Sequence, residues 1–273
     1  MAYTFLADGE TEEVRLTYGE LDRRARAIGA RLNQFVSQGE RALLLYPPGL
    51  EFIAAFFGCL YAGAVATPAY PPRRNHNLFR LQAIVADAQA VVALTTWTIL
   101  ERVTPHCAQN PSLDALRWVA TDDVVADEAE DTWRKSALDS ETLAFLQYTS
   151  GSTGLPKGVM LSHANLLHNA ALVHEACSHT PKDSYVSWLP TFHDMGFMAG
   201  VLQPLYGDFP VVLMSPASFL QRPLRWLEAI SRYRATTSGG PNFAYELCAR
   251  KITPEQSKEL DLSCWSIAFN GAE

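Results

Sequence analysis

Apolar residues recur at helical spacing through LTYGELDRRARAIGARLNQF, where Leu21, Ala25, Ile28, Leu32 and Phe35 form one stripe. Thr17 and Glu20 stand ahead of that stripe in capping-box spacing. This predicts an amphipathic helix that Gly39 ends. The run RALLLY then reads as a short buried strand, Pro47-Pro48 leads into an apolar helix near Glu51 to Ala62, and AVATPAY reads as the next strand. The alternation continues with Leu78 to Ala88 as helix, AVVALT and RWVAT as strands, then YVSWLP, PVVLM, the helix PLRWLEAISRYR, and the runs ATTS and SIAFN. Strands carrying apolar residues on both faces, alternating with helices, predict an α/β fold of layered helices and mostly parallel sheets. Asp122 to Asp139, rich in acidic residues, reads as a solvated connection, and no internal repeat is visible.

The segment Phe52 to Tyr70 carries no charge over nineteen residues, yet Gly58, Gly63 and Pro68 interrupt it. A spanning helix needs about twenty continuous apolar residues, so a core helix followed by a buried strand is expected. With 273 residues, 48% hydrophobic and 19% charged, the chain can bury a sizeable core. Its net charge of -7, with no basic cluster beyond pairs such as Arg73-Arg74, argues against nucleic acid or an anionic membrane as partner. The five cysteines are odd in number, widely spaced and free of CxxC pairs, which points to reduced thiols and a cytoplasmic setting. The start of the chain, with Asp8, Glu10, Glu12 and Glu13, lacks a signal-peptide pattern.

The chemistry concentrates in TSGSTGLPKG, Thr149 to Gly158. Glycines, hydroxyls and one lysine supply bare N–H donors and a mobile positive charge, as a polyphosphate requires. The Walker form G-x-x-x-x-G-K-S/T fails, because Pro156 stands where its second glycine belongs and Gly158 where its hydroxyl belongs. LAFLQY before the loop and GVMLS after it predict a hairpin joining two strands. Taken alone, the decapeptide also fits a Gly/Ser-rich hairpin with no ligand. HEACSH lacks the HExxH spacing, since His174 and His179 are five apart and a helix would place them about 140° from each other. No G-x-S-x-G elbow is present.

In its wider context, LQYTSGSTGLPKGVMLSHANLLHN resembles the signature phosphate loop of the adenylate-forming superfamily: acyl-CoA synthetases, luciferases and nonribosomal adenylation domains. PAYPPRR, the stretch from Ser187 to Cys248, and the terminal FNGAE resemble the fatty acyl-AMP ligases that feed polyketide and lipopeptide assembly lines. The resemblance implies ATP-dependent activation of a fatty acid to an acyl-adenylate, with Mg²⁺, and transfer to the phosphopantetheine thiol of an acyl carrier protein or polyketide synthase module. It implies that Thr149, Ser150, Gly151, Ser152, Thr153, Gly154 and Lys157 hold the departing phosphates, with Lys157 in a catalytic role. His193, in LPTFHDMG, matches the histidine facing the acyl carboxylate and the adenylate phosphate, and Asp194 would support it. Phe192, Met195, Phe197 and Met198 are candidates for the acyl tunnel or for plain core. Gly239, Gly240 and Pro241 in SGGPNFAYEL would allow close approach to the acyl-adenylate, and Asn270, Gly271, Ala272 and Glu273 match the adenine-cradling turn.

The same resemblance makes residues 1–273 a partial N-terminal adenylation domain. The Tyr-Gly-x-x-Glu segment, the ribose-binding aspartate, the hinge and the small C-terminal domain with its lysine are expected beyond Glu273. This stretch by itself is therefore expected to bind nucleotide weakly and not to turn over. A medium- or long-chain acyl-CoA synthetase, or a noncatalytic acyl-adenylate-binding module, are the alternatives.

Overall fold

The computed structural model describes residues 1–71, 78–107, 110–122, 124, 133–149 and 156–271. Arg73 and Arg74, loop residues Ser150, Gly151, Ser152, Thr153 and Gly154, and Ala272 and Glu273 lie outside the described residues, as does half of the acidic connection. The chain forms two compact units: residues 1–18, 48–50 and 167–273 in one, residues 19–47 and 51–166 in the other.

The second unit is built on a six-stranded sheet in the order β6-β5-β3-β4-β7-β8, from β3 (Arg41–Leu45), β4 (Val65–Pro68), β5 (Val92–Thr95), β6 (Arg117–Ala120), β7 (Leu143–Thr149) and β8 (Lys157–Ser162). All neighbours pair in parallel except β7 and β8. Its helices are α1 (Tyr18–Leu32), α2 (Glu51–Ala62), α3 (Phe79–Ala88), α4 (Trp97–Cys107) and α5 (Pro111–Asp114). The uncharged segment is indeed a core helix followed by a strand: Phe52, Ile53, Ala54, Ala55 and Phe56 of α2 are buried, and so is all of β4. No helix among the described residues is long and apolar enough to cross a membrane. Helix α1 buries Leu21, Ala25, Ile28 and Leu32 as the stripe predicts, but it ends at Leu32, ahead of Phe35 and Gly39. The Phe35 and Val36 N–H groups turn back onto the Leu32 carbonyl, and the Phe35 ring lies under the Arg117 guanidinium at 3.8 Å. A cation over that ring replaces the core contact the helical stripe anticipated.

The first unit holds a second six-stranded sheet, in the order β12-β11-β9-β10-β1-β2, from β1 (Tyr3–Leu6), β2 (Glu13–Leu16), β9 (Tyr185–Ser187), β10 (Val211–Met214), β11 (Thr237–Gly240) and β12 (Ile267–Asn270). Only the β1–β2 pair is antiparallel. The hydrophobic pattern did not mark β1 and β2, which pair next to β10 although some two hundred residues separate them from it in sequence. The helices are α6 (His163–Cys177), which begins in the second unit, then α7 (Asp194–Phe197), α8 (Gln203–Gly207), α9 (Pro216–Gln221), α10 (Leu224–Tyr233), α11 (Asn242–Lys251) and α12 (Pro254–Ser257). A π-helical turn, Met198–Leu202, joins α7 to α8. The core gathers around Trp226, which is fully buried and donates from Nε1 to Ser238 Oγ at 2.8 Å. Ser238 Oγ in turn donates a hydrogen bond to the Val186 carbonyl at 2.6 Å, tying α10 to β11 and β9.

Both sheets leave chemistry-bearing loops at the carboxyl ends of parallel strands, where open α/β sheets bind ligands. In the first unit, β10 lies on one side of β9 and β11 on the other, so the crevice between β9 and β11 is a topological switch point.

Candidate active site

In the second unit the predicted hairpin forms, with β7 and β8 antiparallel and Thr149 directly across from Lys157. Both residues are exposed at the open end of the ladder. The base of the hairpin is anchored from below. Tyr148 is buried and donates its hydroxyl to Asp87 of α3 at 2.5 Å, while Gly158 leaves only 3.0 Å between an added Cβ and the Tyr148 ring. The strands thus present Thr149 and Lys157 at the mouth of the loop, and Lys157 forms no ion pair among the described residues.

In the first unit His193 ends the loop that leaves β9 and precedes α7. The loop is held by the His193 N–H bonding the Pro190 carbonyl at 3.1 Å and by the Phe197 N–H bonding the His193 carbonyl at 2.7 Å. Gly196 makes this possible, because an added Cβ would sit 2.1 Å from the Pro190 oxygen. The His193 side chain is 60% exposed, with Nδ1 lying 2.5 Å from Asp194 Oδ1. That contact engages Nδ1 and leaves Nε2 as the other ring nitrogen.

Gly240 and Asn270 are partners at the carboxyl ends of β11 and β12. The Gly271 N–H reaches the Gly240 carbonyl at 3.4 Å, Asn270 Nδ2 donates to Asn242 Oδ1 at 3.3 Å, and an added Cβ on Gly271 would lie 3.0 Å from the Met195 methyl. Gly240, Asn270, Gly271 and the start of α7 therefore meet, with Pro241 opening α11 beside them. The room spared by the glycine pair is filled by protein: a Cβ on Gly239 would lie 2.3 Å from the Phe269 oxygen, and one on Gly240 would lie 2.9 Å from the Trp188 ring. Their lack of a side chain serves strand packing at this point.

Next to this cluster lies a cavity of about 270 Å³, contained in the first unit. Met195 and Met198, candidates for an acyl tunnel or for plain core, line it along with Val173, Ala199, Phe209 and Phe269. Of the other two tunnel candidates, Phe197 is fully buried in the core and neither it nor Phe192 lines the cavity.

Three buried lining residues were not among the sequence candidates for this site: His179, Gln203 and Thr237. His179 Nε2 lies 3.1 Å from Thr237 Oγ1 and its Nδ1 lies 3.3 Å from the Gln203 amide. The helical spacing expected of HEACSH does not hold beyond Cys177. Helix α6 stops at Cys177, Ser178 takes a left-handed conformation with φ of 51°, and His179 folds back until its ring is 6.3 Å from that of His174. Burial lowers the His179 pKa, Asp183 opposes that shift, and His174 adds to it. The π turn explains why periodicity missed Gln203. Its N–H bonds the Met198 carbonyl five residues back, so two residues that an α-helix would splay apart share one face. No group of three or more His, Cys, Asp or Glu side chains among the described residues could hold a metal ion.

The described geometry is that of an antiparallel hairpin with Thr149 and Lys157 at its open end on one sheet and, on the other, a histidine-bearing loop beside a cavity. The AMP-binding enzyme family matches residues 2–273. The medium-chain-fatty-acid–acyl-carrier-protein ligase JamA of Moorena producens is 50% identical over 276 residues, covering 100% of this chain and 46% of that protein. The long-chain-fatty-acid–AMP ligase FadD32 of Mycolicibacterium smegmatis is 37% identical, with 100% and 44% covered. The crystal structure of fatty acyl-adenylate ligase from L. pneumophila, in complex with acyl adenylate and pyrophosphate, superposes with a TM-score of 0.92 at 42% identity, covering 100% of this chain and 47% of that one. The chain thus spans about half the length of the relatives it matches. Motif order, sheet plan and similarity along the whole sequence agree: the chain belongs to the AMP-binding enzyme family, and its fold is that of the N-terminal portion of the adenylate-forming enzymes.

Proposed function

We propose that the protein carrying this chain activates a fatty acid as its acyl-adenylate and passes the acyl group to a carrier-protein thiol. The observation that carries the reading is the apolar cavity next to the carboxyl-end cluster of Met195, Gly240, Asn270 and Gly271, with His193 on the adjoining loop. A fatty acid needs such a cavity for its tail and polar groups at the mouth for its head.

In the first step a carboxylate oxygen attacks the α-phosphate of ATP. The bond from the α-phosphorus to the bridging oxygen breaks and pyrophosphate leaves with the electron pair. His193, its Nδ1 engaged by Asp194, would orient the attacking oxygen through Nε2. Thr149 and Lys157 would hold the departing β- and γ-phosphates, with the backbone N–H groups of the loop between them. The Asn270–Gly271 turn would carry the adenine. In the second step the phosphopantetheine sulfur attacks the acyl carbon and AMP departs. Mg²⁺ would be held chiefly by the nucleotide's phosphates, neutralising charge on the leaving group, since the described residues gather no ligand set of their own. The five unpaired cysteines suit a reducing compartment, the cytoplasm.

The test is ATP–pyrophosphate exchange driven by fatty acids in the full-length protein. Lys157→Ala should slow exchange by about 10²- to 10³-fold, the usual effect of removing one oxyanion donor, while adenosine binding stays unchanged. Unaltered exchange in that variant would remove the clamp role. Exchange followed by transfer to coenzyme A in preference to a carrier protein would assign the protein to the acyl-CoA synthetases instead.

A further inference from the structure

The buried part of the cavity lining is formed by His179, Gln203 and Thr237 together with Tyr185 and Phe209. The mouth of the cavity is marked by Met195, which abuts Gly271. Its other end is marked by Gln203, His179 and Thr237. Thr237 opens β11 and Gly240 closes it, so about three residues at ~3.3 Å, or ~10 Å, separate floor from mouth along the strand. The helical wall from Met195 to Gln203 gives a similar depth of ~12 Å at ~1.5 Å per residue.

The floor is chemically closed. Gln203 donates from its amide nitrogen to the Ala170 carbonyl at 3.1 Å and accepts through its oxygen from the His174 N–H at 3.3 Å. The same amide faces His179 Nδ1, and Thr237 Oγ1 faces Nε2. The tautomer that satisfies all of these carries its proton on Nδ1, donating to the Gln203 oxygen, while Nε2 accepts from the Thr237 hydroxyl. Every nitrogen of this trio is then engaged with protein, and the three side chains brace helix α6, the π turn and strand β11 against one another. An extra methylene cannot pass without breaking a buried hydrogen-bonded network, which leaves unpaired polar groups behind.

Resting on the acyl-adenylate reading, the geometry points to His179, Gln203 and Thr237 as the determinant of acyl-chain length: a floor that restricts the substrate to medium-chain fatty acids. An extended chain advances about 1.25 Å per carbon, from C–C bonds of ~1.5 Å at ~111°. A depth of ~10–12 Å therefore takes about eight to ten carbons.

The experiment is fatty-acid-dependent ATP–pyrophosphate exchange over a homologous series of saturated acids, with binding of the same acids followed by calorimetry, on the full-length protein. The expected profile peaks at about eight to ten carbons and falls roughly tenfold or more for each methylene beyond the floor. Gln203→Ala, which opens the floor, should move the peak to longer acids. Ala199→Leu, which fills the cavity from its side wall, should move it to shorter ones. A flat profile, a profile still rising for long chains, or a folded Gln203→Ala protein with an unmoved peak would overturn the floor. If Gln203→Ala does not fold, an unmoved peak in Ala199→Leu overturns it. Length-dependent binding without exchange would overturn adenylation and leave the floor standing, and loss of both would overturn the two together.

Discussion

Gly196 has no room for a side chain, and both ring nitrogens of His179 face protein partners. At Gly196 an added Cβ would lie 2.1 Å from a backbone oxygen, which cannot swing aside as a side chain can. Gly196→Ala should cost about 3 kcal/mol, at the upper end of overpacking effects, read as a lower denaturant midpoint. It should also lower exchange activity by moving the loop that carries His193. His179 is held neutral by burial, against the pull of Asp183. With its folded-state pKa below the ordinary imidazole value of ~6.5, the unfolded chain binds the proton first. The stability His179 contributes is therefore complete above pH ~6.5 and declines as pH falls below it, by at most about 1.4 kcal/mol per pH unit. Burial lowers the His163 pKa as well, so the difference between the native protein and His179→Gln isolates one histidine. The melting temperature of His179→Gln should fall less steeply than that of the native protein between pH 7 and about 5, above the carboxylate range. Parallel curves would show that His179 does not titrate differently on folding. Sequence made His193 visible through its motif, whereas His179 was legible only as a near-miss to a zinc signature.

Among the elements, helix α10 and strand β11 are joined by a single indole. Trp226 is fully buried among Phe219, Tyr245, Trp265 and Trp188, with edge-on ring contacts at 5.4–6.0 Å. Trp226→Ala should cost about 3–5 kcal/mol by cavity formation, and Trp226→Phe less, because the rings still pack while Ser238 keeps its bond to Val186. Equilibrium unfolding of the two variants checks the order. The β7–β8 hairpin behaves differently, since its outer strand exposes Val159 and Met160 at the sheet edge. Substitutions to threonine there should change stability by less than about 0.5 kcal/mol, because no packed neighbour is lost. Both elements were anticipated from the sequence: LAFLQY and GVMLS on either side of the Gly/Ser-rich stretch for the hairpin, PLRWLEAISRYR as a helix for α10. The π turn was not, because it inserts a residue into a periodicity that assumes regular helix.

Across the whole molecule the two units repeat one plan: a six-stranded sheet, parallel but for one antiparallel pair at an edge, with ligand-type loops at strand carboxyl ends. In the first unit that plan depends on the start of the chain. Tyr3 is buried in β1 and donates its hydroxyl to the Val201 carbonyl at 2.8 Å across 198 residues of sequence. Removing residues 1–16 deletes two of six strands and bares the edge of β10, so the truncated chain should lose the unfolding transition of the first unit and aggregate, as light scattering would report. The same long-range pairing makes slow folding the expectation for this unit. Sequence by itself determined the α/β class, most of the elements, the hairpin around Thr149 and Lys157, the loop bearing His193, and the family. Each of these rests on local information, either periodicity over one element or a contiguous motif. Only the tertiary structure decided that β1 and β2 complete the first sheet, that Gly239 and Gly240 yield space to Phe269 and Trp188, and that His179, Gln203 and Thr237 meet at the end of one cavity. Those arrangements join residues tens to hundreds apart by packing and buried hydrogen bonds, whose partners no local pattern specifies.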